Sequence, residues 1–391
     1  MRHFQFLTDA DREKVFYKKP EYITAASDKE LIAHSLGATL YIPANHEKLS
    51  KKIADQMNVG VVSMVICLED AIGDNQIEEA QRMLCDELEQ IQKEVECGNL
   101  DAHNLPFLFV RVRNPEQLKR LYKELAGCLE YIYGFVFPKF DRRNAEAFMK
   151  VLEEINRGRN KPFMAMPILE SPDLIHWESR RETLSELVSI CETYREWILN
   201  IRIGATDFSS VFGLRRGHDY TVYDIHVIRD CITDIVNTFS RRGRDFVVSG
   251  PVWEYFWNDT RKLKPKLRAT PFEEEYGDKG ARKRKDILNK YLDGLIYEVL
   301  LDRMNGLVGK TVIHPTHIIP VQSLYVVSHE DYMDALSILE NGNGEVGVLK
   351  SSYENKMNEI KPHRNWAYKT LLRARAYGVF QPGCDYVSLL K

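Results

Sequence analysis

The sequence predicts an α/β fold, a (β/α)8 TIM barrel with a C-terminal helical extension. Eight apolar runs of strand length alternate with amphipathic helical patterns along most of the chain. Neighbouring parallel strands need crossover helices between them, and this alternation supplies those helices. Several of the runs stop abruptly at a charged residue, and barrel enzymes place their ligands at the carboxyl ends of the strands. Eight such units fit a closed barrel better than an open sheet.

The predicted strands are mostly continuous apolar runs, which is typical of strands that are buried on both faces. In chain order they are Thr39–Pro43, Val61–Leu68, Pro106–Arg113, Ile132–Phe137, Phe163–Leu169, Ile198–Ile203, Asp245–Pro251 and Val308–Pro315. Apolar residues at three- and four-residue steps predict the helices between them. Those helices are Glu47–Met57, Asn75–Cys97, Glu116–Leu129, Asn144–Ile155, Glu178–Tyr194 and Val222–Phe239.

We divide the chain at residue 320. Residues 1–320 form the predicted barrel, with residues 1–36 wrapped around the outside and a charged insertion near 253–302. Residues 321–391 form the extension, with helical patterns at about His329–Leu339 and Ser352–Tyr377. The turn-rich sequence Asn341-Gly-Asn-Gly344 separates the two patterns.

Composition limits the classes of function. The 391-residue chain is 44% hydrophobic and 28% charged, with a net charge of −3, which is ordinary for a globular protein and argues against a nucleic-acid or membrane-surface partner. Its seven cysteines are scattered without metal-ligand spacing, as expected in a reducing compartment. We see no signal peptide, and no apolar run approaches the ~20 residues of a membrane helix. We therefore expect a cytoplasmic enzyme or binding protein.

Two strands that follow one another end at acids. Phe163–Leu169 is closed by Glu170, and Ile198–Ile203 is followed by Gly204-Ala-Thr-Asp207. Two carboxylates at the same end of successive parallel strands can share one hard divalent cation, and Mg²⁺ commonly takes only one or two carboxylates. We therefore predict a Mg²⁺ (or Mn²⁺) site on these two acids. Taken singly, each acid could instead be a helix cap or a salt-bridge partner.

Other polar residues follow the predicted strands, and a barrel would bring them to the same face. They are Asn45, Glu69, Asp70, Arg111, Arg113, Lys139, Ser249 and His314. Arginine matches a carboxylate with a planar fork of donors. Together with a hard cation, this set suits a 2-oxo acid, whose enolate the metal would stabilise when a carbon–carbon bond breaks. For Glu69-Asp70, a helix start is also plausible, and Arg113 could pair with an acid on a neighbouring loop.

Several short motifs, taken in order, resemble those of the citrate lyase β-subunit-like family in the phosphoenolpyruvate/pyruvate barrel superfamily. The similarity runs from about Leu40 to Val379, and the chain looks closest to the C–C bond lyase branch associated with tellurite-resistance gene clusters. The motifs are Leu40-Tyr-Ile-Pro-Ala44, Cys67-Leu-Glu-Asp-Ala71, Val110-Arg-Val-Arg113, Gly134-Phe-Val-Phe-Pro-Lys139, Leu169-Glu-Ser171, Gly204-Ala-Thr-Asp207 and Gly309-Lys-Thr-Val-Ile-His-Pro315.

The resemblance implies a role for each matching residue. It implies Mg²⁺ on Glu170 and Asp207, with Arg111 holding the carboxylate of a 2-oxo acid. Glu69 and Asp70 would orient metal-bound water. With Arg111, we assign substrate binding to Arg113, Lys139 and Ser249. The substrates implied are 2-oxo acids and their thioester or aldol adducts.

The C-terminal extension also carries a family motif. Lys356-Met-Asn-Glu359 resembles a segment that crosses to a neighbouring subunit and places an acid over its active site, which implies a homo-oligomer with Glu359 as a catalytic residue. A solvated outer-helix residue is the plainer alternative for Glu359.

Three departures bear on substrate recognition. Cys67 replaces an acid of its motif, Arg113 stands where Asn is usual, and Gly37 falls where many members carry Arg. The last two leave thioester and phosphate recognition undefined. We therefore expect a metal-dependent lyase or aldolase. The alternatives are a malate-synthase- or thioesterase-type enzyme on the same site, or a non-catalytic ligand-binding or scaffold barrel.

Overall fold

The computed structural model describes residues 1–125, 129–256, 290–342 and 346–390. Its strands are β1 (Phe16–Lys18), β2 (Ala38–Pro43), β3 (Ser63–Cys67), β4 (Phe107–Arg111), β5 (Ile132–Phe137), β6 (Met164–Leu169), β7 (Ile201–Ile203), β8 (Val248–Ser249), β9 (Lys310–Val312), β10 (Val348–Lys350), β11 (Met357–Glu359) and β12 (Val379–Phe380).

The described helices alternate with these strands through the barrel and then follow one another in the C-terminal part. They are α1 (Asp9–Val15), α2 (Lys29–Ser35), α3 (Leu49–Val59), α4 (Ile77–Glu96), α5 (Pro115–Glu124), α6 (Ala145–Asn156), α7 (Pro172–Ile175), α8 (Trp177–Thr193), α9 (Ala205–Val211), α10 (His226–Phe239), α11 (Lys290–Met304), α12 (Ile318–Tyr325), α13 (His329–Glu340) and α14 (Ile360–Tyr377).

Eight strands form one parallel sheet that curls into a barrel. Their order is β8-β7-β6-β5-β4-β3-β2-β9, so each strand from β2 to β8 lies beside the next in sequence. A parallel bridge between Gly250 and Lys310 brings β8 beside β9 and completes the circuit. All eight predicted barrel strands are present in the predicted order, and the prediction of a (β/α)8 barrel is confirmed.

A buried ionic cluster holds α11 against the end of the barrel. The Lys310 ammonium donates to Glu298 and Asp302 at 2.8 Å each, and all three side chains are fully buried. Arg216 also donates to Glu298, and the Tyr223 hydroxyl donates to Asp302 at 2.7 Å. Because each buried acid has several donors, the ion pairs escape much of the penalty of an unpaired buried charge.

The two ends of the chain pack together outside the barrel. β1 pairs antiparallel with β12, with Phe16 opposite Phe380. His3 stacks on Tyr377 with ring centroids 4.3 Å apart, and the Tyr377 hydroxyl donates to the carbonyl of His34. Helix α14 packs on α2, so the N-terminal wrap and the C-terminal extension share one packed layer.

One predicted helix starts later than the sequence suggested. Residues from Ser352 were assigned to a helix ending at Tyr377, but the structure has β11 at Met357–Glu359 and starts the helix at Ile360. β11 pairs antiparallel with β10, and these backbone hydrogen bonds replace those of the expected first helical turns.

The predicted boundary at 320 falls inside α12, and the division into domains stays a prediction. Most of the predicted insertion, residues 257–289, lies outside the described residues. No helix in the described parts of the chain is long and apolar enough to cross a membrane.

Candidate active site

The candidate site lies at the carboxyl ends of β3 to β7. Each strand is a buried apolar run that stops at a polar residue, so parallel alignment brings these polar ends together. Cys67 pairs in register with Arg111, and Arg111 with Val136, so the ends of β3, β4 and β5 lie at one level. Asn114 caps α5 and Pro115 is its first residue, which turns the chain away after β4.

Arg111 is the centre of the cluster. Its Nη2 atom lies 2.5 Å from Glu69 Oε2, 2.9 Å from Asp70 Oδ2 and 3.3 Å from Glu170 Oε1. The side chain is buried, and its pKa is raised because the neighbouring acids, Glu170 first, outweigh the effect of desolvation. Its Nε atom is buried without a hydrogen-bond partner among the described residues. This donor is closed to solvent, so it is not available to a ligand in this arrangement of the cluster.

Lys139 contacts the same acids from β5. Its ammonium pairs with Glu69 and lies 3.1 Å from Asp70 Oδ1, and its backbone N–H donates to Glu170 Oε1 at 2.8 Å. The residue has a left-handed φ of 48°, which is uncommon for a side chain with Cβ. This backbone turn lets both its N–H and its ammonium face the acids.

Glu170 is the most deeply buried acid of the cluster. It is 4% exposed, and desolvation raises its pKa to about 8, with Arg111 acting in the opposite direction and Asp207 adding to the rise. Desolvation also raises the pKa of the half-buried Asp207, and a side-chain hydrogen bond with Glu170 opposes that rise. The two predicted metal ligands therefore lie within hydrogen-bond reach of each other.

Gly204 makes room for this pair. A Cβ atom at position 204 would lie 2.1 Å from Glu170 Oε2 and 2.4 Å from Glu170 Cβ, both far below contact distance. The glycine in the Gly204-Ala-Thr-Asp207 motif is therefore required by the close approach of the Glu170 side chain to β7.

The other two acids of the cluster, Glu69 and Asp70, have pKa values shifted in opposite directions. Burial raises the pKa of Glu69, against the opposing charge of Arg111. The pKa of Asp70 is lowered: burial alone would raise it, but a hydrogen bond with Glu69 and the charge of Arg111 outweigh that effect. The Asp70 backbone N–H also donates to Glu69 Oε2 at 2.8 Å, which fixes the adjacent acids relative to each other.

The charges of the side chains in the cluster favour the binding of a divalent cation. Four carboxylates (Glu69, Asp70, Glu170, Asp207) face two cations (Arg111, Lys139), which leaves two negative charges when all are ionised. In the described residues no three His, Cys, Asp or Glu side chains form a ready metal cage. A two-carboxylate site completed by water or substrate oxygens suits Mg²⁺, which keeps several such ligands.

Four other residues predicted at strand ends form hydrogen bonds or ring contacts outside the acid cluster. Arg113 donates to the carbonyls of Leu68 and Ile72 and to Asp74, so it braces the loop after β3. The Ser249 hydroxyl donates to the Val308 carbonyl between β8 and β9. The His314 ring stacks on Phe256, and Asn45 lies 3.5 Å from the Gln76 side chain.

Glu359 lies outside the cluster. It is exposed at the N-terminal end of α14, on the β10–β11 hairpin, which packs against α13 and α14. Lys356, in the same motif, pairs with Glu330 and Asp334 of α13. The hairpin is therefore anchored to the extension of its own chain, and Glu359 points away from that anchor.

A cavity opens along one face of α9, the helix that also carries Asp207. It has a volume of 260 Å³ and is lined by residues of α9, of the loop that follows α9 and of the segment after β8. Its polar residues include Thr206, Ser209, Arg215 and Glu254, but not Asp207. Sequence reasoning did not identify this cavity or Gly204 as features of the site. It also missed Tyr41 and Arg202, which lie below the acids inside the barrel.

Comparison with known proteins agrees with this architecture. The chain matches the family described as C–C bond lyases of the TIM-barrel fold over residues 30–379. The protein CitE of Mycobacterium tuberculosis, solved with magnesium, acetoacetate and coenzyme A, aligns with a TM-score of 0.53 at 18% identity, covering 88% of this chain and 99% of that one.

A second solved structure has the same fold. A citrate lyase from Burkholderia xenovorans aligns with a TM-score of 0.60 at 14% identity, covering 94% of this chain and 96% of that one. A search of curated proteins finds no match. The family match spans most of the chain, and the protein belongs to the C–C bond lyases of the TIM-barrel fold.

Proposed function

We propose that the protein is a Mg²⁺-dependent carbon–carbon lyase or aldolase of the citrate lyase β-subunit type, with a substrate that yields a 2-oxo acid. The observation that carries the proposal is the close approach of Glu170 and Asp207 inside a cluster of four acids and two cations, directly beside the buried guanidinium of Arg111. Magnesium and acetoacetate in the M. tuberculosis relative support the same choice of ligands. Mn²⁺, with similar oxygen preferences, is the alternative cation.

Each side chain has a distinct task in this proposal. Glu170 and Asp207 would hold the cation, which supplies Lewis-acid stabilisation of negative charge on the substrate oxygen. Arg111 would bind the substrate carboxylate through its guanidinium group, whose planar fork of donors matches a carboxylate. Glu69 and Asp70 hold Arg111 in place, and they would orient water at the cation. The Lys139 ammonium holds Glu69 and Asp70 in position, and its backbone N–H holds Glu170.

Two residues predicted to bind substrate act indirectly in the proposal. Arg113 and Ser249 stabilise the loop after β3 and the β8–β9 contact, which support the site walls. We assign the non-reacting part of the substrate to the 260 Å³ cavity along α9, the helix that carries Asp207, where Arg215 provides a positive charge. A thioester is one such substrate, since coenzyme A is bound in the relative.

We further propose that the protein is a homo-oligomer in which Glu359 closes the site of a neighbouring subunit. The exposed side of the β10–β11 hairpin supports this, because Val348 and Met357 are 45% and 60% exposed beside Glu359. A lid of this kind would shield the reacting substrate from water and place an acid over it. A cytoplasmic location and a link to tellurite resistance remain predictions.

The experiment that tests the function is metal-dependent binding. Calorimetric titration of pyruvate, oxaloacetate, glyoxylate and acyl-CoA esters, each with and without Mg²⁺, should give binding only with the metal. Glu170→Ala should abolish that binding and leave the fold intact by circular dichroism. Asp74→Asn is the matched control, because Asp74 is an exposed acid at the same face that pairs with Arg113. Normal metal and oxo-acid binding by Glu170→Ala would refute the site.

A further inference from the structure

A second buried arginine crosses the barrel interior one level below the acids. Arg202 on β7 pairs in register with Ile168, which precedes Glu170 by two residues. Its Nη2 atom donates to Thr311 Oγ1 at 2.7 Å and its Nη1 atom to Thr39 Oγ1 at 3.3 Å, so the side chain reaches β9 and β2. It is 1% exposed.

No carboxylate in the described part of the chain forms a salt bridge with Arg202. A buried charge without a partner costs several kcal/mol, and two threonine hydroxyls are weak compensation. Desolvation accordingly lowers the pKa of Arg202, and Tyr41 is the group that opposes this effect. The guanidinium carbon lies 5.6 Å from the centroid of the Tyr41 ring, within the range of a cation–π contact.

Tyr41 connects this buried cation to the site. It lies on β2 two residues before Pro43, which pairs in register with Cys67 at the level of Arg111. Unlike Arg202, it is only partly buried. Burial raises the pKa of Tyr41, while the charges of Arg202 and Arg111 lower it. The Tyr41 phenol is in cation–π contact with Arg202 and within the electrostatic influence of Arg111, so its hydroxyl is well placed to donate a hydrogen bond to an anion beside Arg111.

We propose that Tyr41 is a substrate-binding residue whose hydroxyl donates a hydrogen bond to the 2-oxo acid held by Arg111, with Arg202 as its positioning residue. The inference rests on the proposed function and adds a recognition element on the barrel side of the substrate. Arg202 holds the phenol ring and stabilises negative charge on its oxygen, which strengthens the hydroxyl as a donor. The pair thereby favours ligands that present an anionic oxygen toward the barrel interior.

The test is a double-mutant cycle in which calorimetry measures the affinity for pyruvate at saturating Mg²⁺. Tyr41→Phe removes only the hydroxyl and should weaken pyruvate binding about tenfold or more, the usual effect of losing a hydrogen bond to a charged group. Mg²⁺ binding without pyruvate and the melting temperature should stay unchanged. Tyr133→Phe is the matched control, because Tyr133 is a partly buried tyrosine on β5 that packs on Phe107.

Arg202→Met should weaken pyruvate binding in the wild-type background and cause no further loss in the Tyr41→Phe background. A purely structural arginine would instead reduce affinity equally in both backgrounds. If Arg202→Met does not fold, Arg202→Lys serves instead: it keeps a cation, and its effect on binding should again disappear in the Tyr41→Phe background.

The possible failures are distinguishable. If the wild-type protein binds no pyruvate with Mg²⁺, the proposed function is overturned and this inference falls with it. If the wild type binds and Tyr41→Phe binds equally well, the role of Tyr41 is refuted while the proposed function stands. If the two substitutions have additive effects, Tyr41 keeps its role and the positioning role of Arg202 is refuted.

Discussion

Replacing Gly204 by alanine tests the geometry of the site without removing any charged group. The backbone at Gly204 has φ −98° and ψ 76°, outside the left-handed region, so an L-residue is free to adopt it. The added methyl group would meet Glu170 Oε2 at 2.1 Å, whereas ordinary van der Waals contact begins at 3.4 Å. The carboxylate must therefore retreat by about 1.3 Å, taken from those two distances.

A new rotamer alone does not relieve the clash. The methyl group would also lie 2.4 Å from Glu170 Cβ, which is fixed to the backbone, so β6 and β7 must separate locally. Overpacking of this kind costs about 1–3 kcal/mol of unfolding free energy. Metal–ligand distances tolerate changes of only ~0.2 Å. We therefore expect Gly204→Ala to fold, lose stability in urea denaturation by that amount, and bind Mg²⁺ at least about tenfold more weakly.

The matched control is Gly217→Ala, where the new methyl group would meet Tyr220 at 3.7 Å, an ordinary contact. Its stability and Mg²⁺ affinity should equal those of the wild type, as measured by the same denaturation curves and calorimetric titrations. A Gly204→Ala protein that binds Mg²⁺ with wild-type affinity would show that Glu170 is not a metal ligand in this position. A Gly204→Ala protein that is destabilised but binds Mg²⁺ normally would also refute the role of Glu170 as a metal ligand.

The remaining predictions use other residues of the site and the hairpin. Burial raises the pKa of Glu170 from its unfolded value of 4.5 to about 8 in the folded, metal-free protein. The protonated carboxyl therefore contributes fully to the free energy of unfolding below pH 4.5, and this contribution is lost as the pH rises through 8. Mg²⁺ must displace that proton, so its affinity should rise about tenfold per pH unit up to pH 8 in calorimetric titrations, and a flat profile would contradict the assignment. Arg111→Lys should weaken oxo-acid binding about ten- to a hundredfold at unchanged Mg²⁺ affinity, since lysine lacks the guanidinium fork; unchanged oxo-acid affinity would move this role to another cation. Mixing inactive Glu170→Ala and Glu359→Ala subunits should restore partial lyase activity through hybrid sites, and a strictly monomeric protein by light scattering would exclude this arrangement.

The barrel was predictable because each strand carries its own signal. β3, β4 and β6 are uninterrupted apolar runs, and a polar residue follows each run or ends it. Even β8, with only Val248–Ser249 in strand geometry, lies inside a predicted apolar run. Since parallel alignment brings strand ends together, the proximity of Arg111 to Glu170 follows from local patterns alone.

What escaped prediction depends on contacts between distant parts of the chain. Arg113 follows Arg111 by two residues, and the alternation of a strand would place both on the same face. β4 ends at Arg111, however, and Arg113 turns to the carbonyls of the loop after β3. The proximity of Arg202 to Tyr41 requires the barrel to close, and no local pattern encodes a contact between β7 and β2.

The pairing of β1 with β12 has a consequence for synthesis of the protein. A ribosome makes Phe380 long after its strand partner Phe16, because 363 residues separate the two in the chain. At roughly 5–20 residues per second, the intervening 363 residues take roughly 20–70 s to make. Throughout that interval His3 and Phe16 lack the tyrosine and the strand that cover them in the finished protein. The outer layer therefore forms only after the segment that contains Tyr377 and Phe380 has been made, and until then the apolar side chain of Phe16 needs another means of protection from water.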